Sequence, residues 1–241
     1  MKIAKNNEDI INNLFDKYSL SKEDKKEINK VLLPIVSHAE FQKRMTNEFF
    51  HHGNITLGEH IIEDTIMTYK LSKKYALNNN YQTDLALKIA LFHDLYTLPW
   101  QNNKEAHVHH FLHKHGFRHP VESIINAINW YPEMFQNSRD SKLIIDGVLH
   151  HMFPFPVLSI GKKNIDYYEL KNINLYNKLS NDLQNIIKDS LKRKKIGKLS
   201  FSRSEYKEGR VMNKADRIVS RHQIKDFQSM KALITGHNKK I

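Results

Sequence analysis

Residues 84–97, DLALKIALFHDLYT, are apolar on nearly every side when wound as a helix. Such a helix is stable only when other elements enclose it, so the segment demands a bundle with itself near the centre. The surrounding text supplies helices to enclose it. Residues 7–18 read as a short amphipathic helix. Ser21, with Asp24 three residues on, caps a helix reaching about His38. Thr56 or Gly58 opens a long helix over LGEHIIEDTIMTYKLSKKYAL, and Thr83 caps the central one. The His-rich run HVHHFLHKHG ends at Gly116, and His119-Pro120 begins VESIINAINWY. Ser138 precedes DSKLIIDGVLHHM, which Phe153-Pro154-Phe155-Pro156 stops. A basic helix, NDLQNIIKDSLKRKKIG, ends near Gly197. Two further segments, EYKEGRVMNKADRIVSRH and QIKDFQSMKALITG, close the chain. Gly and Pro number only 8 and 6 in 241 residues, and no stretch alternates apolar with polar. The expected fold class is all-α, one large domain or two small ones, with roughly nine helices whose ends are good to a few residues.

With 40% hydrophobic residues the chain has enough apolar side chains for a core. It has no cysteine, which removes disulfides and thiolate metal sites and leaves His and carboxylates as the strong ligands. The start, MKIAKNNEDIINN, has no apolar signal region, and no run of about 18 apolar residues occurs. The expectation is a soluble cytoplasmic protein with no membrane partner. The net charge of +12 is unevenly placed. Residues 1–184 carry 22 Lys/Arg against 21 Asp/Glu, and residues 185–241 carry 16 against 5. A field of that sign attracts phosphorylated substrates or nucleic acid, although a charge run alone is more often a solvated face.

An Asp inside an apolar helix is costly to bury unless something pairs with it, and His93-Asp94 falls in such a place. His60 lies within the apolar stretch GEHII, His119 starts a helix, His150 and His151 end one, and Asp216 sits in VMNKADRIV. Each alone reads as an ordinary core or capping group. Together they place His, His-Asp, His, His and Asp on different helices, which is how a bundle core builds a metal site.

The longer blocks EFQKRMTNEFFHHGN, GEHIIEDTI, ALFHDLYTLPW, HGFRHPVES, HHMFPFP and EYKEGRVMNKADR resemble, in this order, a bacterial branch of the HD-domain metal-dependent phosphohydrolases. The resemblance covers roughly residues 35–156 and 205–222. It implies an HD-domain helical bundle over 40–156 and 205–222, with N-terminal helices in 1–40, a basic insertion in 157–204 and a C-terminal helix in 223–241. The insertion departs from the short connection expected of that branch. The resemblance implies one or two divalent ions (Mn, Fe, Co, Ni or Zn) held by His60, His93, Asp94, His119, His151 and Asp216, with His150 a further candidate. In the two-metal form Asp94 bridges, with His60, His93 and Asp216 on one ion and His119 and His151 on the other. Ions about 3.5–4 Å apart activate a water and clamp phosphoryl oxygens.

The expected activity is hydrolysis of a phosphate ester in a nucleotide or another phosphorylated small molecule through a metal-activated hydroxide, with Asp94 among the catalytic residues. Lys214, Arg217 and Arg118 are candidates for the transition-state charge, each standing against the reading of a surface cation. His52 is a candidate general acid or hydrogen-bond donor to the substrate phosphate, or a tie for the helix start. Glu59 reads equally as a partner of a ligand His or as a surface acid. His107, His109, His110, His113 and His115 spread round a helix and read as structural. Two other functions stay open: an HD-type di-iron oxygenase using the same ligands, and a nucleic-acid-binding protein using the basic C-terminal quarter. Aromatic residues do not interleave with the basic run as a stacking platform would. Neutralising Lys192, Arg193, Lys194 and Lys195 is expected to raise KM more than it changes kcat.

Overall fold

The structure, a computed structural model, describes residues 3–51, 54–75, 77, 79–97, 115–152, 167–192 and 203–234. Among them are ten α-helices, a single 3-10 turn at Pro132–Phe135 and one isolated bridge between Phe50 and Thr56, with no strand. The helices are α1 (Lys5–Lys17), α2 (Lys22–Val36), α3 (Ala39–Arg44), α4 (Leu57–Lys74), α5 (Asn80–Phe92), α6 (His115–Trp130), α7 (Ser138–Leu149), α8 (Tyr167–Asn177), α9 (Asn181–Lys192) and α10 (Lys207–Ile234). The all-α expectation holds. No helix among the described residues is long and apolar enough to cross a membrane.

Two helix starts follow directly from the text. Ser21 and Asp24, and likewise Thr56 and Glu59, form reciprocal capping boxes at α2 and α4. Glu59 therefore caps its own helix, its carboxylate accepting from the Thr56 N–H at 2.7 Å, and does not hold a ligand His. The start of α5 lies earlier than expected. The Asn79 side chain accepts from the Gln82 N–H at 2.8 Å, and Thr83 falls inside the helix. The same helix stops at Phe92, so His93 is its C-cap and Asp94 lies in the following turn, not within the helix. His119 and Pro120 fall in the second turn of α6, not at its start, and Gly116 stands in its first turn instead of ending a helix before it. Proline there removes one intrahelical bond close to the helix end. With no Gly or Pro between Arg210 and Ile234, α10 runs unbroken where the sequence reading placed two segments.

The helix α5 is the centre of the bundle, packed by α2, α4, α6, α7 and α10. Leu85, Ala86, Leu87, Ile89, Ala90, Leu91 and Phe92 are all buried, at about 1.5–3 kcal/mol for each large side chain. Around it α4 buries Leu57, Ile61, Ile62 and Ile66 but also His60, Glu63 and Asp64. At the crossing of α7 and α10, a Cβ on Gly209 would stand 2.8 Å from the Gly147 Cα. The two backbones touch there because neither residue has a side chain, and this contact sets how closely α10 approaches the centre.

Candidate metal centre

Five elements converge on one buried point. His60 and Asp64 are four residues apart on α4, hence on one face. His93 and Asp94 enter together because α5 ends at Phe92 and both residues lie in the turn that follows. His119 comes from α6, His151 from the residue after the α7 C-cap, and Asp216 from α10. The six ligand candidates implied by the resemblance are thus gathered in one place, and two more residues join them.

Asp64 is the first addition. Its Oδ2 lies 3.2 Å from His60 Nε2 and 3.3 Å from His93 Nε2. His51 is the second, its ring stacked on His60 at 3.8 Å between centroids and its Nδ1 3.8 Å from Asp94 Oδ2. The sequence held a weak sign of Asp64 in its spacing from His60. Glu63 stood beside it with no way to tell which acid turned inward. His51 was hidden next to His52, which lies outside the described residues.

Asp94 divides its carboxylate. Its Oδ2 faces His93 and His60 at 3.6 and 3.8 Å, and its Oδ1 faces His119 and His151 at 3.1 and 3.7 Å. Two donor sets follow, each with ligand atoms within 4.8 Å of one another: His60, Asp64, His93 and Asp216 in one, Asp94, His119 and His151 in the other. His51, His60 and Asp94 form a third overlapping group.

The hydrogen bonds of the rings fix which nitrogen faces the cluster. His93 Nδ1 donates to the Ala90 carbonyl and His151 Nδ1 to the Val148 carbonyl, both at 2.7 Å. His60 Nδ1 donates to Gln223 Oε1 at 3.0 Å. In each neutral ring Nε2 is then a lone pair aimed inward, the state a metal ligand requires. His119 Nε2 lies 2.9 Å from His151 Nε2. His93 Nε2 and both oxygens of Asp64 are buried without a well-formed hydrogen bond among the described residues. Buried acceptors facing one another are unfavourable unless a proton or a cation lies between them. The donor set, nitrogen and carboxylate oxygen without sulfur, fits a first-row divalent ion.

Burial pushes the Asp64 carboxyl well above its ordinary range, and the neighbouring Asp216 and Asp94 add to that rise. Burial also raises Asp216, against the pull of His93. Burial acts on Asp94 in the same sense, but the imidazoles of His93 and His119 outweigh it and hold this carboxyl well below the usual range. His151 is held well below the ordinary histidine value by burial and by the neighbouring His119 and His93. Two buried carboxylates and the partly buried Asp216, with different proton affinities and surrounded by imidazoles, make a cation-demanding site.

Other candidates lie elsewhere. His150 turns away from the cluster, its Nε2 3.2 Å from both the carbonyl and the hydroxyl of Ser190 and 3.7 Å from Asp146. It fastens α9 to α7. Lys214 and Arg217 are exposed on α10, as expected of positions about 200° and 100° round the helix from Asp216. Lys214 donates to the Tyr75 hydroxyl and sits 4.6 Å above that ring. Lys214 is therefore tied to α4's C-cap and not to the cluster. Arg118 is buried beside His119. His107, His109, His110 and His113, together with Arg193, Lys194 and Lys195, lie outside the described residues, as does the side chain of His115. Lys192 is exposed, 3.7 Å from Asp189.

No known protein family, curated protein or solved structure matches the chain.

Proposed function

We propose that this chain is a metal-dependent phosphohydrolase of the HD type, acting on a phosphorylated small molecule. The observation that carries the reading is the divided Asp94 carboxylate between two buried donor sets. His60, Asp64, His93 and Asp216 would hold one ion, and Asp94, His119 and His151 a second, with Asp94 shared. Bound divalent ions supply Lewis acidity and bring the pKa of a ligated water near neutrality. His51 is the most accessible imidazole of the cluster, with 14% of its side chain exposed, and it can pass a proton to a leaving oxygen at the rim. The excess positive charge of residues 185–241, which include Asp216, favours arrival of an anionic substrate.

The test is metal analysis of purified protein followed by a panel of phosphomonoesters, phosphodiesters and nucleotides. Metal-dependent release of phosphate or of an alcohol, lost in a folded Asp94→Asn variant, is the expected result. A metal-loaded protein inert on the whole panel that consumes oxygen with an organic substrate would overturn it in favour of a di-iron oxygenase.

A further inference from the structure

The inward histidine of α4 is held from behind by a chain of side chains that the ligand set does not include. Lys17 Nζ and Tyr18 OH donate to Glu63 Oε1 at 2.6 and 2.7 Å. Gln223 Nε2 donates to Glu63 Oε2 at 2.7 Å, and Gln223 Oε1 accepts from His60 Nδ1 at 3.0 Å. The chain joins the end of α1, the middle of α4 and the second half of α10. Glu63 is 2% exposed and Gln223 1%.

The order of atoms leaves one consistent assignment. Glu63 takes donors on both oxygens, so it acts as an acceptor at both ends. Gln223 must then turn its NH2 group to Glu63 and its carbonyl to His60. A carbonyl accepts only, so His60 must place its proton on Nδ1. Its Nε2 is left as a lone pair facing Asp64, Asp94 and Asp216. The other two anchored rings, His93 and His151, rest on backbone carbonyls of their own helices. Of these three anchored rings, that of His60 is set by residues far away in sequence.

We infer that Gln223 and Glu63 are positioning residues that fix the tautomer and orientation of His60, with Lys17 and Tyr18 anchoring the pair to α1. The inference rests on the metal reading for its consequence, and on geometry alone for the tautomer. Partners of this kind behind a ligand histidine change metal affinity by about 10–100-fold.

The experiment has two arms that fail separately. In the first, metal-free protein labelled with 15N-histidine is examined by NMR, the His60 signals being those lost in His60→Gln. Wild type should show the proton on Nδ1, and Gln223→Leu should show it on Nε2 or shared between the two. An unchanged Nδ1–H tautomer in Gln223→Leu overturns the inference whatever the metal does. In the second arm, Mn2+ affinity is measured by competition with a chelating dye. Gln223→Leu should bind about 10–100-fold more weakly, and Glu63→Gln or the milder Lys17→Met should weaken binding severalfold. Equal affinity in wild type and Gln223→Leu overturns the inference, because a merely structural role would lower thermal stability without moving affinity in the folded protein. No Mn2+ binding to wild type would remove the metal reading, and the tautomer comparison would still decide the positioning role.

Discussion

His93 Nε2 and Asp64 Oδ2 face each other across 3.3 Å in the buried centre of the bundle, and the ring's Nδ1–H donates to the Ala90 carbonyl. Two acceptors confront one another where water does not screen them. A proton on Asp64 relieves this contact in the metal-free protein, and a cation relieves it in the loaded one.

Asp64→Asn should therefore make the metal-free protein more stable at pH 8, not less. The Asp64 carboxyl is raised in the fold above its ordinary value of 3.8. Wild type is unpenalised below that value, where the group is protonated folded or unfolded, and loses stability as pH rises through the folded pKa. The advantage of the variant should grow from about pH 4 upward and then level off. Melting curves of chelator-treated proteins from pH 4 to 8 measure it, each kcal/mol appearing as about 2–4 °C. With saturating Mn2+ the order should reverse. A variant less stable than wild type at pH 8 without metal would show that Asp64 is satisfied by the protein itself.

His93→Ala and Asp94→Ala should each lose bound metal and activity. Asp94→Ala should lose more metal, because Asp94 faces both donor sets. Metal per chain by mass spectrometry, read beside circular dichroism, separates ligand loss from unfolding. Full metal content in folded Asp94→Ala would move the site elsewhere.

Metal titration into stripped protein should proceed in two steps, the weaker belonging to Asp94, His119 and His151. His151→Ala should remove one step. His150→Ala should keep both while lowering thermal stability, since its contacts run to Ser190 and Asp146. A single step in wild type at saturation would reduce the centre to one ion.

Gly209→Ala should cost about 1–3 kcal/mol, the usual penalty of overpacking. The added methyl meets Gly147 backbone, which has no side chain to move aside. Because Asp216 and Gln223 ride on the same helix, metal affinity should fall with stability. Calorimetry and the dye competition assay check the two effects together. An unchanged melting temperature would mean that α10 shifts along α7 freely.

Much of the helix content was legible because capping and periodicity are local. Ser21 with Asp24, and Thr56 with Glu59, announce helix starts within four residues. The end of α5 was harder, since His93 and Asp94 continue an apolar pattern that the backbone leaves after Phe92. Helix α8 was not read, having little periodic contrast. For the centre, buried-looking His and Asp residues on separate helices pointed to a metal site, and the resemblance implied which six side chains would hold it.

By itself the sequence determined that this chain is helical, that α5 lies at its centre and that His60, His93, Asp94, His119, His151 and Asp216 are candidates for one site. Tertiary structure alone decided that Asp64 turns inward while its neighbour Glu63 turns toward Lys17 and Gln223, that His151 joins the cluster while His150 binds Ser190, and that Lys214 is tied to Tyr75. Spacing along a helix fixes the angle between neighbouring side chains. Which of those directions meets another helix is set by packing between residues as far apart as His60 and Gln223, and local sequence carries no record of it.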